Sequence, residues 1–145
     1  MKNMTELVAN PVQSCKSCLL SSCVLVGKKK GGVMDVQLFS IRQVRDQITE
    51  AYSPVNLATV DDFAIRLVKF QGEFDRWHAH DNEDESFIVL EGEVLFQTEN
   101  GNFLLSAGQG IVIPKGLRHC PKAASEGPMP LALIIERAET KRLGD

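Results

Sequence analysis

After Pro54 the sequence is divided into short apolar segments of strand length, with turn residues between them. Residues 63–70 alternate in polarity and are rich in branched side chains, as expected of a half-buried strand. Asn100-Gly101 is typical of a type I′ hairpin turn and joins residues 94–98 to 103–106. The remaining strand-length segments are residues 86–90, 93–97, 111–113 and 131–136. Short strands at regular spacing, separated by Gly and Pro, predict an all-β sandwich or barrel.

The region before Pro54 has a different pattern and contains the one helix that we predict. Residues 36–39 are expected to form a short strand, and Ser40 has the side chain of a helix N-cap. Apolar side chains then recur at helical spacing up to Tyr52, and Pro54 ends the helix. These side chains are Ile41, Val44 and Ile48. The pattern predicts one short amphipathic helix on the N-terminal side of the β-rich region.

The charge of the chain is unevenly distributed and excludes one class of partner. The chain has 145 residues, enough for one domain, and a formal net charge of −3. Residues 1–33 sum to +4 and residues 34–145 to −7. The acidic part lacks the clustered Lys and Arg that phosphate groups require, so we predict no nucleic-acid partner. No apolar segment is longer than a strand, and no membrane partner is predicted.

Residues 1–33 are interpreted as a disordered or non-native extension, and residues 34–145 as the folded domain. Lys30-Gly31-Gly32-Val33 can be encoded by a purine-rich ribosome-binding sequence directly before the Met34 codon, so we expect natural initiation at Met34. The extension holds three of the four cysteines, and its CxxC at Cys15 and Cys18 lacks the second pair of a zinc ribbon. Cysteines placed so unevenly do not form a disulfide framework, which indicates a reducing cytoplasm.

Some predicted strands are apolar on both faces, which indicates that the outer face of the sheet is covered. Residues 87–90 and 111–113 are uninterrupted runs of this kind. A strand exposed to water on one side alternates more regularly. Either the predicted helix or a second subunit covers this face, and we favour a homodimer.

The three histidines of the chain fall in two short segments, and their pattern predicts a metal site. His78 and His80 are two residues apart, so on a strand their side chains point to the same face. Glu85 follows after a short acidic turn, and His119 comes from a distant strand. A single histidine is usually an ordinary core or surface residue, but here three occur with a carboxylate. Such a donor set suits a divalent ion of Fe, Mn, Ni, Co, Cu or Zn.

The spacing of these residues resembles the two motifs of the cupin superfamily. The first motif, G-x5-H-x-H-x4-E-x6-G, matches from Gly72 to Gly92. The second, G-x5-P-x-G-x2-H, matches from Gly108 to His119, and Ala123 stands where the pattern continues with asparagine. The resemblance covers residues 34–145 and implies an RmlC-like jelly-roll barrel, a double-stranded β-helix, with one divalent ion on His78, His80, Glu85 and His119.

Within the superfamily the chain is similar to small single-domain cupins of the mannose-6-phosphate isomerase-like group. Trp77-His78, Asp84-Glu85 and the segment 119–123 carry this similarity. His78 stands where the larger zinc-dependent phosphomannose isomerases have glutamine, so the resemblance does not imply isomerisation of mannose 6-phosphate.

Several neighbours of the predicted ligands are candidates for other roles. Asp84 is an alternative ligand to Glu85, which we favour. Strand parity directs Phe87 and Val89 inward with Glu85, and directs Trp77 and Cys120 away from the histidines. Arg66, Lys69 and Arg76 are candidates for orienting an anionic substrate, whereas Tyr52 is a poor candidate for the site because it lies in or near the helix.

Four protein ligands leave about two positions on a six-coordinate ion for an oxygen-rich small molecule. We therefore expect a small metalloenzyme, such as a dioxygenase, isomerase or lyase. The alternative is a non-catalytic small-molecule binding or sensing module. A cavity lined only by Phe and Val beyond the metal would favour binding, while an inward Arg, Tyr or Glu would favour catalysis.

Overall fold

The structure is a computed structural model and describes residues 36–144. It contains one helix and eight strands within that range. The helix is α1 (Ile41–Arg45), and the strands are β1 (Val55–Val60), β2 (Phe63–Lys69), β3 (Glu85–Glu91), β4 (Glu93–Thr98), β5 (Gly101–Ser106), β6 (Gly110–Ile113), β7 (His119–Ala123) and β8 (Leu131–Arg137). Within the described range no helix has the length and apolarity needed to cross a membrane. The interpretation of residues 1–33 lies outside the described residues and stays a prediction.

The strands form two antiparallel sheets that face each other. The larger sheet has the order β1-β2-β8-β3-β6, and the smaller has the order β5-β4-β7. β8 lies between β2 and β3, with Phe63 opposite Arg137 and Ser86 opposite Ile135. The predicted all-β jelly roll with one short helix is confirmed.

The inner faces of both sheets enclose one apolar core. The rings of Phe70, Phe87 and Phe96 form its centre, and Phe87 and Phe96 lie 4.8 Å apart between ring centroids. Burying an aromatic or aliphatic side chain of this kind stabilises the fold by about 1.5–3 kcal/mol. The other members are Val68, Val89, Val94, Leu105, Ile113, Ala123, Ala132 and Ile134. This core fills one end of the barrel.

A second apolar cluster covers the outer face of the larger sheet. Val44 of α1 and Ile48 pack against Leu57, Leu67 and Leu131. The N-cap is the predicted one, because the Ser40 side chain accepts a hydrogen bond from the Gln43 N–H at 3.4 Å. The helix therefore covers part of the sheet face that the sequence predicted to be shielded.

Three local predictions were wrong. Residues 36–39 form no strand and are mostly exposed. The helix ends at Arg45 rather than near Tyr52, whose backbone has a φ of 56° and whose N–H donates to the Lys69 carbonyl. That hydrogen bond draws the chain away from the helix axis toward the end of β2. The β4–β5 hairpin is present, but Gly101 and not Asn100 has a positive φ, so its turn is not type I′.

Candidate metal centre

The four predicted ligands come from three separate segments that meet at one end of the barrel. His78 and His80 lie in the extended segment between β2 and β3, while Glu85 begins β3 and His119 begins β7. His78 and His119 exchange backbone hydrogen bonds of 3.1 and 2.9 Å. This bridge fixes the first histidine segment against β7 and brings residues distant in sequence together.

The side chains of these four residues form a compact, buried cluster. One ligand atom from each residue lies within 4.8 Å of the others. Glu85 Oε2 is 3.0 Å from His119 Nε2 and 3.6 Å from His80 Nε2. The imidazole centroids of His78 and His119 are 4.2 Å apart. No other group of this kind occurs among residues 36–144.

The polar atoms of the cluster fit a bound metal ion. Within the described part of the chain, four residues of the cluster have buried nitrogen or oxygen atoms without a hydrogen-bond partner. These atoms are His78 Nδ1, His80 Nδ1 and Nε2, Glu85 Oε2 and His119 Nε2. Buried polar atoms are nearly always paired, so this convergence calls for a ligand. Borderline divalent ions take imidazole nitrogen and carboxylate oxygen together.

His119 has the support that metal-ligating histidines usually have. Its Nδ1 lies 3.1 Å from the backbone carbonyl of Leu117. A carbonyl can only accept, so this contact places the proton on Nδ1 and leaves the Nε2 lone pair directed into the cluster. The geometry thus selects the tautomer that a metal ion needs.

The electrostatics of the cluster keep several ligands in their metal-binding protonation states. Burial opposes ionisation of Glu85, but His119 and His80 outweigh it and hold the pKa of the carboxyl well below its usual range. Burial, with the charge of His119, lowers the pKa of His78 to about 4. Burial also acts against charging His80, but Glu85 outweighs it and raises the pKa of that imidazole. In the metal-free protein, His80 is thus the ligand whose raised pKa makes protons compete with a metal.

The structure separates Glu85 from its alternative. Glu85 is buried in the cluster, whereas Asp84 is exposed and its Oδ1 accepts a hydrogen bond of 2.9 Å from the Lys115 N–H. Asp84 therefore holds the turn before β7, and Glu85 faces the imidazoles.

A cavity of about 360 Å³ adjoins the cluster, and His78 and Glu85 form part of its wall. Most of the remaining wall is apolar, from Val68, Phe70, Phe74, Phe87 and Ile134. The inward direction predicted for Phe87 is confirmed, and Val89 is buried deeper in the core. Cys120 is fully buried as a small apolar residue, as predicted, and Trp77 is partly exposed.

A partly buried ion pair, which the sequence reasoning did not identify, also lines the cavity. The Arg66 Nη1 donates to Glu136 Oε1, its Nε donates to Asn56 Oδ1 at 2.8 Å, and its Nη2 donates to the Ala138 carbonyl. Burial, reinforced by the nearby charge of Glu85, raises the pKa of Glu136 to about 7. The available signal was strand parity, because Glu136 shares its face of β8 with Ala132 and Ile134.

The remaining residues considered for the substrate site are Lys69, Arg76 and Tyr52, and only Tyr52 lines the cavity. Lys69 donates to the Ile48 carbonyl, and Arg76 is exposed beside Asp75, so neither lines the cavity. The reason for treating Tyr52 as a poor candidate for the site, its place in or near the helix, was wrong. Its ring packs against Phe70 and Phe74, its hydroxyl donates to the Gly72 carbonyl at 2.7 Å, and the residue lines the cavity.

Comparison with known proteins agrees with this fold. Residues 67–135 match the family model described as the cupin domain. The chain is 38% identical over 77 residues to the uncharacterized protein YdbB of Bacillus subtilis (strain 168), covering 52% of this chain and 67% of that protein. The fold is a barrel of two antiparallel sheets with a buried His/Glu cluster at one end. Together with these matches, it shows that the chain belongs to the cupin family.

Two solved structures extend the comparison. A cupin-2 domain containing protein from Shewanella frigidimarina NCIMB 400 is 35% identical, with a TM-score of 0.63, covering 69% of this chain and 94% of that one. Protein NMB1881 from Neisseria meningitidis is 27% identical, with a TM-score of 0.59, covering 68% and 98%. The names of these two proteins specify no reaction, so the activity has to be argued from the site.

Proposed function

We propose that this cupin is a small metalloenzyme that binds one divalent ion through His78, His80, Glu85 and His119. The observation that carries the proposal is the convergence of unpartnered, buried nitrogen and oxygen atoms on one point. An apolar core that packs well elsewhere has no structural need for such atoms, because each one costs stability. Iron, manganese, nickel, cobalt, copper and zinc all suit the donor set.

The cavity lining favours catalysis on an oxygen-rich small molecule. Arg66, Glu136 and Tyr52 line the cavity beside the cluster, and a site used only for passive apolar binding needs none of them. The alternative is a non-catalytic binding or sensing module. The apolar wall formed by Phe70, Phe74 and Phe87 supports it, since such walls are common in binding pockets.

The residues of the chain have distinct tasks in this proposal. When bound, the metal ion supplies Lewis acidity or, if it is a redox metal, electron transfer. Arg66 holds the carboxyl group of Glu136 in place at the cavity wall. The raised pKa of Glu136, about 7, lets that carboxyl hold or release a proton near neutral pH. The phenylalanine rings exclude water from the apolar part of the cavity.

Assembly, location and subgroup are part of the same proposal. Leu104 and Val112 are apolar strand residues with 56% and 61% exposure. A second subunit would shield such side chains from water, which supports a homodimer. The cysteine distribution supports a cytoplasmic location. The motif spacing around the four predicted ligands supports an RmlC-like cupin of the mannose-6-phosphate isomerase-like group.

The proposed metal site is tested by two matched isosteric substitutions, Glu85→Gln and Asp84→Asn. Both replace a carboxylate by an amide, but only Glu85 faces the imidazoles. We expect Glu85→Gln to lose most of its metal and Asp84→Asn to keep it, because a neutral amide is a weak ligand. Elemental analysis measures the metal, and circular dichroism checks that both variants are folded. Full metal content in folded Glu85→Gln, or loss in Asp84→Asn, would contradict the assignment.

A further inference from the structure

When both carboxyl groups are ionised, the charged residues that line the cavity balance one another before any metal is bound. Arg66 and Arg142 are the cations of this lining, and Glu85 and Glu136 are its anions. A divalent ion in the His/Glu cluster would therefore leave the cavity with an excess of positive charge. Positive charge enclosed by low-dielectric walls attracts anions and raises their local concentration.

The two arginines differ in how far their charge is already compensated. Arg66 is partly buried and paired with the Glu136 carboxylate. Arg142 is exposed, and its contacts are with neutral groups: its Nη1 donates to the Tyr52 carbonyl at 2.7 Å, and its Cζ lies 5.9 Å from the centre of the Phe74 ring. A planar guanidinium with donors to spare is well suited to a carboxylate. Arg142 is thus the cation of the lining that remains open to an anionic ligand.

A second polar atom near Arg142 also lacks a partner. The hydroxyl of Thr140 is buried and, among the described residues, makes no hydrogen bond. Thr140 lines the same cavity, two residues before Arg142. The lining therefore contains an unpartnered buried hydroxyl and an uncompensated guanidinium, and both are groups that a carboxylate satisfies.

The distance between Arg142 and the cluster limits the size of the ligand. The Phe74 ring contacts both, with its centroid 5.0 Å from that of the His78 ring and 5.9 Å from the Arg142 guanidinium carbon. The two ends of the site are therefore at most about 11 Å apart, and the wall between them is largely apolar. A cavity of about 360 Å³ is at the small end of ligand pockets and accommodates a small acid.

We infer that the cavity takes a small organic acid with an apolar middle, whose oxygen donors lie at the His/Glu cluster and whose second anionic group binds Arg142. This inference rests on the proposed function, because the excess positive charge requires a bound metal. It deepens that function by naming the chemical class of the ligand and a residue that selects it.

Two acids of equal chain length test the inference by isothermal titration calorimetry. The probes are 2-oxoadipate and 2-oxohexanoate, which share the 2-oxo acid group and differ in the distal carboxylate. The full chain is loaded with Zn²⁺, and its metal content is measured first. We expect 2-oxoadipate to bind about tenfold more tightly, since a charge-assisted hydrogen bond to arginine is made only by the diacid.

Substitution of Arg142 connects this preference to one side chain. In Arg142→Gln the preference for 2-oxoadipate should disappear, while the affinity for 2-oxohexanoate stays unchanged. Arg137→Gln is the matched control, because Arg137 is also exposed near the C-terminus but pairs with Glu139 outside the cavity. The control should keep the full preference.

The outcomes separate this inference from the proposal on which it rests. A folded chain that takes up no metal overturns the proposed function and the inference with it. A metal-loaded chain that binds the two acids equally, or binds neither, overturns the inference alone. Survival of the preference in Arg142→Gln would also overturn it. Tighter binding of mannose 6-phosphate than of 2-oxoadipate would contradict the apolar middle.

Discussion

The two ends of the barrel interior are built from the same strands but differ in chemistry. Along β3 the inward side chains change from Glu85 at one end to Phe87 and Val89 at the other. Along β8 they change from Ala132 and Ile134 to Glu136. The closed end is a packed apolar core, and the open end collects imidazoles, carboxylates and arginine.

This difference separates the residues that stabilise the fold from the residues that serve the function. Side chains at the apolar end are buried, mostly against one another, and those that border the cavity form its apolar wall, so each contributes favourable burial. The polar end has unpartnered atoms, and its Glu85 and Glu136 carboxylates repel each other. Groups that oppose folding persist where they serve a ligand, which is why we assign the function to this end.

The largest expected effect comes from removing one side chain at each end. Phe96→Ala deletes a fully buried ring from the apolar core and should lower the free energy of unfolding by about 3–5 kcal/mol. His80→Ala should change it by about 1 kcal/mol or less in metal-free protein, because it also removes two unpartnered buried nitrogens. Urea denaturation with a chelator present measures both values. Equal losses of unfolding free energy in the two variants would contradict the proposed difference between the two ends.

A smaller effect is expected from pH, and it should act at the polar end. The pKa of His80 is raised, so in the metal-free protein this imidazole keeps its proton to a higher pH than usual. A metal ion must displace that proton, and metal affinity should therefore fall as pH decreases from about 8 to about 5.5. Competition with a fluorescent chelator across this range measures the affinity. An affinity that stays constant would contradict the electrostatics of the cluster.

The sequence predicted those parts of the site that depend on local pattern. The short segments and turns predicted an all-β sandwich or barrel, and the resemblance to cupin motifs made it a jelly roll. The four clustered residues followed from strand parity and motif spacing. Glu136 was missed because its role depends on which strand lies beside β3. In the structure β8 lies beside β3, with Ser86 opposite Ile135, and this register brings Glu136 next to Glu85. Such register comes from the folded sheet and is not visible in a single segment.

Residues at the cavity mouth were missed for a related reason. Arg142 and Tyr52 are 90 positions apart, and their hydrogen bond requires the segment after β8 to fold back over the barrel. The apolar pattern predicted a helix up to Tyr52. In the structure the backbone N–H of Tyr52 instead donates to the Lys69 carbonyl, and the helix ends earlier. In both cases a contact distant in sequence determined the local structure, and local pattern alone could not predict it.

The metal content of protein purified from its native source tests the central claim most directly. Inductively coupled plasma mass spectrometry on the full chain should give about one equivalent of a single divalent transition metal per chain, as four ligands around one point require. The native source is preferred because a foreign host can load a different metal. Protein with no metal above the level of its buffer would contradict the account.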